Sequence, residues 1–154
     1  ANQFQSNNKP VNAMVSNLIR RNEFSPLSKI KSISYLENII AANDANKKGY
    51  DDAILLNTSS RVCESTISNI FILDDDKILT PSLAEGALPG IIRRVIIENY
   101  DVLETKISLK DIQGAKEVFL TNSLSIRPLI SIDGKKVGSI DSMFFYQEVL
   151  NRFF

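Results

Sequence analysis

Hydrophobic and polar positions along the chain follow two periods, which predict strands in some segments and helices in others. Alternating or β-branched apolar runs predict strands over residues 11–19, 53–56, 62–65, 69–73, 78–80, 103–107, 118–122, 126–130 and 135–138. Helical spacing predicts helices over residues 33–47, 91–100, 108–113 and 142–154, and residues 22–29 and 81–89 are predicted loops. Because strands and helices mix without strict alternation, we expect an α+β fold whose mixed sheet is curled into a pseudo-barrel with flanking helices.

Local signals add detail to three of the helices and to one turn. Gly49 is placed to end the helix over residues 33–47, and Asp133-Gly134 is a strong hairpin turn. The first helix is defined by the spacing of Ile33, Leu36, Ile39, Ile40 and Ala42. The helix over residues 91–100 has one apolar face, made of Ile91, Val95 and Ile96. The last helix carries a stripe that we interpret as core or subunit interface, made of Phe144, Phe145, Val149, Phe153 and Phe154.

Composition excludes several classes of function. The chain has 154 residues, 18 Lys and Arg against 18 Asp and Glu, and no histidine. A net charge of zero argues against a nucleic-acid partner, and the missing histidine excludes Ser-His-Asp and Cys-His nucleophiles and a histidine-based metal site in this chain. Cys63 is the single cysteine, so a reducing, cytoplasmic location is expected. No apolar run is long enough for a membrane span, so we expect no membrane partner.

Two segments carry residues that suit an anion. Pro89 and Gly90 precede a predicted helix, whose first amides, those of Ile91 and Ile92, are suited to bind a phosphate. Residues 121–123, Thr-Asn-Ser, follow an apolar strand and offer hydroxyl and amide donors. Each segment also has an ordinary structural interpretation, since Arg93 and Arg94 could pair with acidic neighbours and residues 121–123 could form a plain turn. From the residues alone, the sequence predicts a possible phosphate site and leaves both interpretations open.

A longer set of residues resembles a known family. Glu64, Thr66, Asn69-Ile70-Phe71, Ile78, Thr80 and residues 88–93 together resemble the signature of class IV pyridoxal-phosphate aminotransferases and lyases. Ser25-Pro26-Leu27 and residues 30–37 resemble the segment that carries that family's cofactor-bonding lysine. Residues 120–124 and Arg127-Pro128 resemble the version found in its 4-amino-4-deoxychorismate lyases, whereas its transaminases more often have Ser-Gly-Thr or Ser-Ser-Thr there. The resemblance runs from about residue 11 to the C-terminus.

The resemblance implies a role for each matching position. Lys31 would bond to the pyridoxal phosphate aldehyde and act as the catalytic base, which requires a buried, neutral amine. Glu64 would pair with the pyridine nitrogen, so that the ring can accept electrons, and Tyr35 would lie beside the cofactor's ring oxygen or phosphate. The phosphate would be bound by the amides of Ile91 and Ile92 and by the hydroxyl and amide of Ser123. Asn122 and Arg127 would contact the small-molecule substrate.

The sequence also departs from the family pattern. Ile92 stands where threonine or serine is common, and Ser34 replaces a usual asparagine. Residues 1–154 match only the larger, cofactor-binding domain, so we expect the family's smaller N-terminal domain to be absent from this chain. The expected activity is conversion of 4-amino-4-deoxychorismate to 4-aminobenzoate and pyruvate by a homodimer, with this chain alone inactive. The alternatives are a D-amino-acid or branched-chain transaminase, or a non-catalytic domain that only dimerises.

Overall fold

The computed structural model describes residues 9–30, 35–138 and 144–153. Its strands are β1 (Val11–Arg21), β2 (Asp52–Asn57), β3 (Val62–Ser65), β4 (Asn69–Asp74), β5 (Lys77–Pro81), β6 (Val102–Thr105), β7 (Glu117–Asn122), β8 (Ser125–Ile132) and β9 (Lys135–Lys136). Its α-helices are α1 (Leu36–Lys47), α2 (Ile91–Asn99), α3 (Leu109–Gly114) and α4 (Phe144–Phe153). Each of the two predicted loops contains a short 3-10 helix, at Pro26–Lys29 and at Leu83–Glu85.

One mixed sheet organises the described residues. Its strand order is β3-β2-β1-β8-β7-β4-β5-β6, with β9 paired to β8. β1 is parallel to both β2 and β8, and β5 is parallel to β6, whereas the remaining pairs are antiparallel. The sheet curls into a half-barrel with helices packed on it, which confirms the predicted α+β pseudo-barrel.

Aromatic packing joins α4 to the sheet. Phe71 and Phe119 stack with ring centroids 5.4 Å apart, and Tyr146 and Val149 of α4 are buried against them. The buried carboxylate of Glu117 accepts hydrogen bonds from the first amides of α4, where the helix dipole favours negative charge. Of the stripe predicted for this helix, Val149 is therefore in the core, and Phe145 and Phe153 are partly buried against it. The side chain of Phe144 and all of residues 139–143 and Phe154 lie outside the described residues.

The buried face of α1 is not its most apolar one. Asn38, Ala41 and Ala45 are buried, and the two alanines pack against β1 and β2. The branched side chains whose spacing predicted the helix are 41–62% exposed, namely Leu36, Ile39 and Ile40. Small residues let the helix axis approach the sheet closely, which explains why the alanines face inward.

Other sequence expectations need correction at element ends and faces. Ile91 was expected on the apolar face of α2, but it is 62% exposed, and Ile96 is the fully buried residue of that helix. The strand expected over residues 103–107 is Val102–Thr105, because Ile107 leaves the sheet edge to accept a hydrogen bond from the Val62 amide. Within the described residues, no helix is long and apolar enough to cross a bilayer.

Because Ala45 is fully buried and Ile39 is half exposed, substitution should affect stability much more at Ala45 than at Ile39. We predict that Ala45→Leu lowers the free energy of unfolding by about 1–3 kcal/mol through overpacking against β1 and β2. Ile39→Ser should change it by less than about 0.5 kcal/mol. Urea denaturation of both variants measures this, and a larger loss for Ile39→Ser would contradict the observed orientation of α1.

Candidate active site

Three segments, at strand ends and at the start of α2, surround one cavity. The cavity has a volume of about 160 Å³. Its walls are residues 67–69 between β3 and β4, residues 88–92 at the start of α2, and residues 121–123 at the end of β7. Glu64 and Tyr35 close one side. The structure thus brings together six of the predicted site residues, Tyr35, Glu64, Ile91, Ile92, Asn122 and Ser123.

Glu64 is a buried carboxylate with two fixed partners. It lies at the end of β3 with 4% of its surface exposed. Its Oε1 is 3.1 Å from the Arg21 guanidinium, and its Oε2 accepts a 2.8 Å hydrogen bond from the Leu88 amide. Burial raises the pKa of Glu64 from 4.5 to about 7, although Arg21 and the Leu88 amide oppose the rise. The group can therefore hold or release a proton near neutral pH.

Arg21 is a functional residue that sequence reasoning missed. It is the last residue of β1, and its guanidinium also donates to the Ser28 carbonyl at 2.9 Å and the Gly86 carbonyl at 3.2 Å. These bonds connect β1 with the loops that contain Ser28 and Gly86. The sequence signal was the Arg20-Arg21 pair at the strand end, which marks charge but not its partner.

The first turn of α2 presents open amides to the cavity. Gly90 is the N-cap residue, and no side chain caps the helix. The Asn69 side chain holds the preceding segment by donating to the Leu88 carbonyl at 2.8 Å. A Cβ at Gly90 would overlap the Asn69 side-chain oxygen, so only glycine fits here without displacement. Unpaired amides and the helix dipole make this end of the cavity favourable for an anion.

The wall at residues 121–123 contains a buried hydroxyl without a partner. Thr121 is 1% exposed, and among the described residues its Oγ1 makes no hydrogen bond. Asn122 accepts hydrogen bonds from the Leu124 amide at 2.9 Å and the Ser125 amide at 3.0 Å, which closes the β7–β8 turn. Ser123 is exposed within that turn and lines the cavity. The residues that carry these hydroxyls line the same cavity as the first residues of α2.

Of four further positions singled out in the sequence, the structure describes Tyr35 and Arg127, whereas Lys31 and Ser34 lie outside the described residues. Tyr35 lines the cavity beside Glu64, and partial burial raises the pKa of its phenol. Arg127 does not line the cavity, and its Nε donates to the Lys9 carbonyl at 3.1 Å.

The arginines of α2 have acidic partners, as the structural interpretation expected. Arg93 is buried and pairs with Glu104, and its guanidinium also donates to the Pro81 carbonyl at 3.0 Å. Arg94 lies 3.9 Å from Glu98 on the exposed side of the helix. Neither arginine lines the cavity, so the hydrogen-bond donors that its walls offer are amides and hydroxyls.

Comparison with known proteins agrees with this geometry. The sequence profile of a family described as amino-transferase class IV matches residues 1–132. The chain belongs to the class IV aminotransferases. Members of this family are pyridoxal-phosphate-dependent enzymes.

Individual class IV relatives resemble the chain over most of its length. The branched-chain-amino-acid aminotransferase-like protein 2 of Arabidopsis thaliana is 36% identical over 132 residues, which are 81% of this chain and 23% of that protein. A candidate 4-amino-4-deoxychorismate lyase of Legionella pneumophila superposes with a TM-score of 0.86 at 34% identity, over 92% of this chain and 54% of that chain. The pyridoxal-phosphate form of a branched-chain aminotransferase from Thermobaculum terrenum superposes with a TM-score of 0.80 at 27% identity, over 97% of this chain and 53% of that chain. The chain spans about half or less of the length of these relatives.

The raised pKa of Glu64 predicts a pH-dependent stability. Between pH 4.5 and about 7 the folded protein holds a proton on Glu64 that the unfolded chain has lost, so this stabilisation is complete below 4.5 and disappears as the pH rises to about 7. Glu64→Gln removes the titration. In urea denaturation across this range, the variant should gain stability relative to the native protein as pH rises, with no further gain above about 7. Parallel pH profiles would contradict the raised pKa.

The steric constraint at Gly90 predicts a selective loss of anion binding. Gly90→Ala should displace Asn69 or the start of α2 and weaken pyridoxal phosphate binding by the full-length protein, measured by fluorescence titration. Gly114→Ala is the matched control, because a Cβ there has open space at the end of α3 and should leave the affinity unchanged. Equal affinities for the two variants would contradict the role of the Gly90 amide segment.

Proposed function

We propose that the cavity binds pyridoxal phosphate and that the full-length protein converts 4-amino-4-deoxychorismate to 4-aminobenzoate and pyruvate. The observation that carries the cofactor assignment is the pairing of a buried carboxylate on one side of the cavity with anion donors on another. Glu64 suits a protonated ring nitrogen, whereas the first amides of α2, Thr121 and Ser123 suit a phosphate. The unpartnered Thr121 hydroxyl supports the assignment, because a buried hydroxyl without a partner is costly unless a ligand pairs with it.

Each residue has a physical task in this proposal. When bound, the cofactor supplies an electron-accepting ring that stabilises negative charge on the substrate. Glu64 holds a proton at the ring nitrogen, and Arg21 and the Leu88 amide hold the carboxylate in place. By family resemblance, Lys31 would hold the cofactor covalently and would serve as the general base that accepts the proton from substrate C4.

The segment at residues 120–124 favours the lyase over a transaminase. It matches the lyase version of the family pattern, and the Legionella pneumophila neighbour is a candidate 4-amino-4-deoxychorismate lyase. A branched-chain transaminase is the second candidate, because the Arabidopsis thaliana and Thermobaculum terrenum relatives are named for that activity. Asn122 and Arg127 are the proposed substrate-contacting residues. Asn122 lines the cavity, whereas Arg127 would contact the substrate from outside the described cavity wall.

We infer that residues 1–154 form the larger, cofactor-binding domain. We also infer that the active protein is a homodimer in which each subunit has a smaller domain as well. Exposed apolar side chains support this inference, since Phe24, Leu27 and Leu36 are 62–82% exposed in this domain by itself. Leu27 and Leu36 line a second cavity that also includes Glu64.

Product analysis of the full-length protein tests the activity. With pyridoxal phosphate and 4-amino-4-deoxychorismate but no keto acid, we expect equal amounts of 4-aminobenzoate and pyruvate, lost in Lys31→Ala and kept in Gly114→Ala. A parallel reaction supplies L-leucine or D-alanine with 2-oxoglutarate. Glutamate formation there, without 4-aminobenzoate in the first reaction, would overturn the lyase in favour of a transaminase.

A further inference from the structure

Ser68 is a buried hydroxyl on the cavity wall that no role described above uses. It lies in the loop between β3 and β4 with 8% of its surface exposed, and it lines the candidate cavity. The Asn122 Nδ2 group donates a 3.1 Å hydrogen bond to Ser68 Oγ. Because Ser68 Oγ is the acceptor in that bond, its own hydrogen is available to another group. Within the part of the chain that the structure describes, that hydrogen has no acceptor.

The backbone around Ser68 is fixed by a second serine. The Ser68 amide donates to Ser65 Oγ at 3.1 Å, and the Ser65 amide donates to the Ser68 carbonyl at 2.8 Å. Ser65 does not line the cavity. These bonds hold the loop in place, so the free hydrogen of Ser68 is presented by a rigid backbone.

Asn122 joins this loop to the opposite wall. Its Oδ1 binds the Leu124 and Ser125 amides, while its Nδ2 reaches Ser68. The residues on either side of Asn122, Thr121 and Ser123, both line the cavity at the end proposed for the phosphate. Because Asn69 pairs with Thr121 across β4 and β7, the bond from Asn122 places Ser68 beside the 121–123 wall of the cavity.

We propose that Ser68 is an additional ligand-binding residue that donates its hydroxyl hydrogen to the cofactor phosphate, and that Asn122 is the positioning residue that orients this hydroxyl. The inference rests on the proposed pyridoxal phosphate site but not on which substrate the enzyme uses. It gives Asn122 an indirect role, through Ser68, in addition to the direct substrate contact expected from the resemblance. The Asn122 oxygen accepts from the two turn amides, and one of the two Nδ2 hydrogens is donated to Ser68.

Comparing pyridoxal phosphate with pyridoxal isolates the phosphate contact. We expect Ser68→Ala in the full-length apoprotein to weaken pyridoxal phosphate binding about tenfold, as for loss of one hydrogen bond to a charged group, and to change pyridoxal binding less than about twofold. Ser68→Thr retains the hydroxyl and should restore most of the affinity. Gly114→Ala is the matched control, because a Cβ there meets open space, and it should leave both affinities unchanged. Equal losses for both ligands, or no loss, would overturn the role of Ser68.

A double-mutant cycle tests the indirect role of Asn122. Asn122→Ala should lower the preference for pyridoxal phosphate over pyridoxal in the native background, but by less than about twofold when Ser68→Ala is already present. Independent, additive effects would overturn the positioning role. A native protein that binds no pyridoxal phosphate would overturn the proposed function as well. If the native protein binds it and Ser68→Ala binds it equally well, only the present inference fails.

Discussion

The buried contact between Glu64, Arg21 and the Leu88 amide is the constraint on which the site depends. A carboxylate this deeply buried is unfavourable unless its oxygens are paired, and here each oxygen has one partner. The two partners come from the end of β1 and from the segment that leads into α2. Folding of the sheet therefore sets the carboxylate and the first turn of α2 in a fixed relation, with the cavity between them.

Side-chain amides extend that constraint to the rest of the cavity wall. Asn69 holds the segment before α2, and Asn122 joins the β7–β8 turn to the loop that carries Ser68. Both residues lie at strand ends, so the β4–β7 pairing determines their separation. The apolar core fixes the strands, and these polar bonds fix the loops that the strands project. Binding groups from four distant parts of the sequence are thus held together without a metal or disulfide among the described residues.

Much of this arrangement could be predicted from local sequence, because local patterns determine it. The β-branched run of residues 69–73 and the glycine at position 90 each specify their own strand or helix start. Arg21 could not be assigned, since its partner Glu64 is 43 positions away and only the β1–β2–β3 pairing brings them together. The inward face of α1 was missed for a similar reason, because close approach to the sheet favours Ala41 and Ala45 over bulkier neighbours. Lys31 was found only through family resemblance and lies outside the described residues.

The central claim is that this cavity holds pyridoxal phosphate bonded to Lys31. Locating that bond tests the claim most directly. Full-length protein would be incubated with pyridoxal phosphate, reduced with borohydride, digested and sequenced by mass spectrometry. We expect one modified residue, Lys31, and no modification in Lys31→Ala. Modification of a different lysine, or a folded protein that carries none, would contradict it.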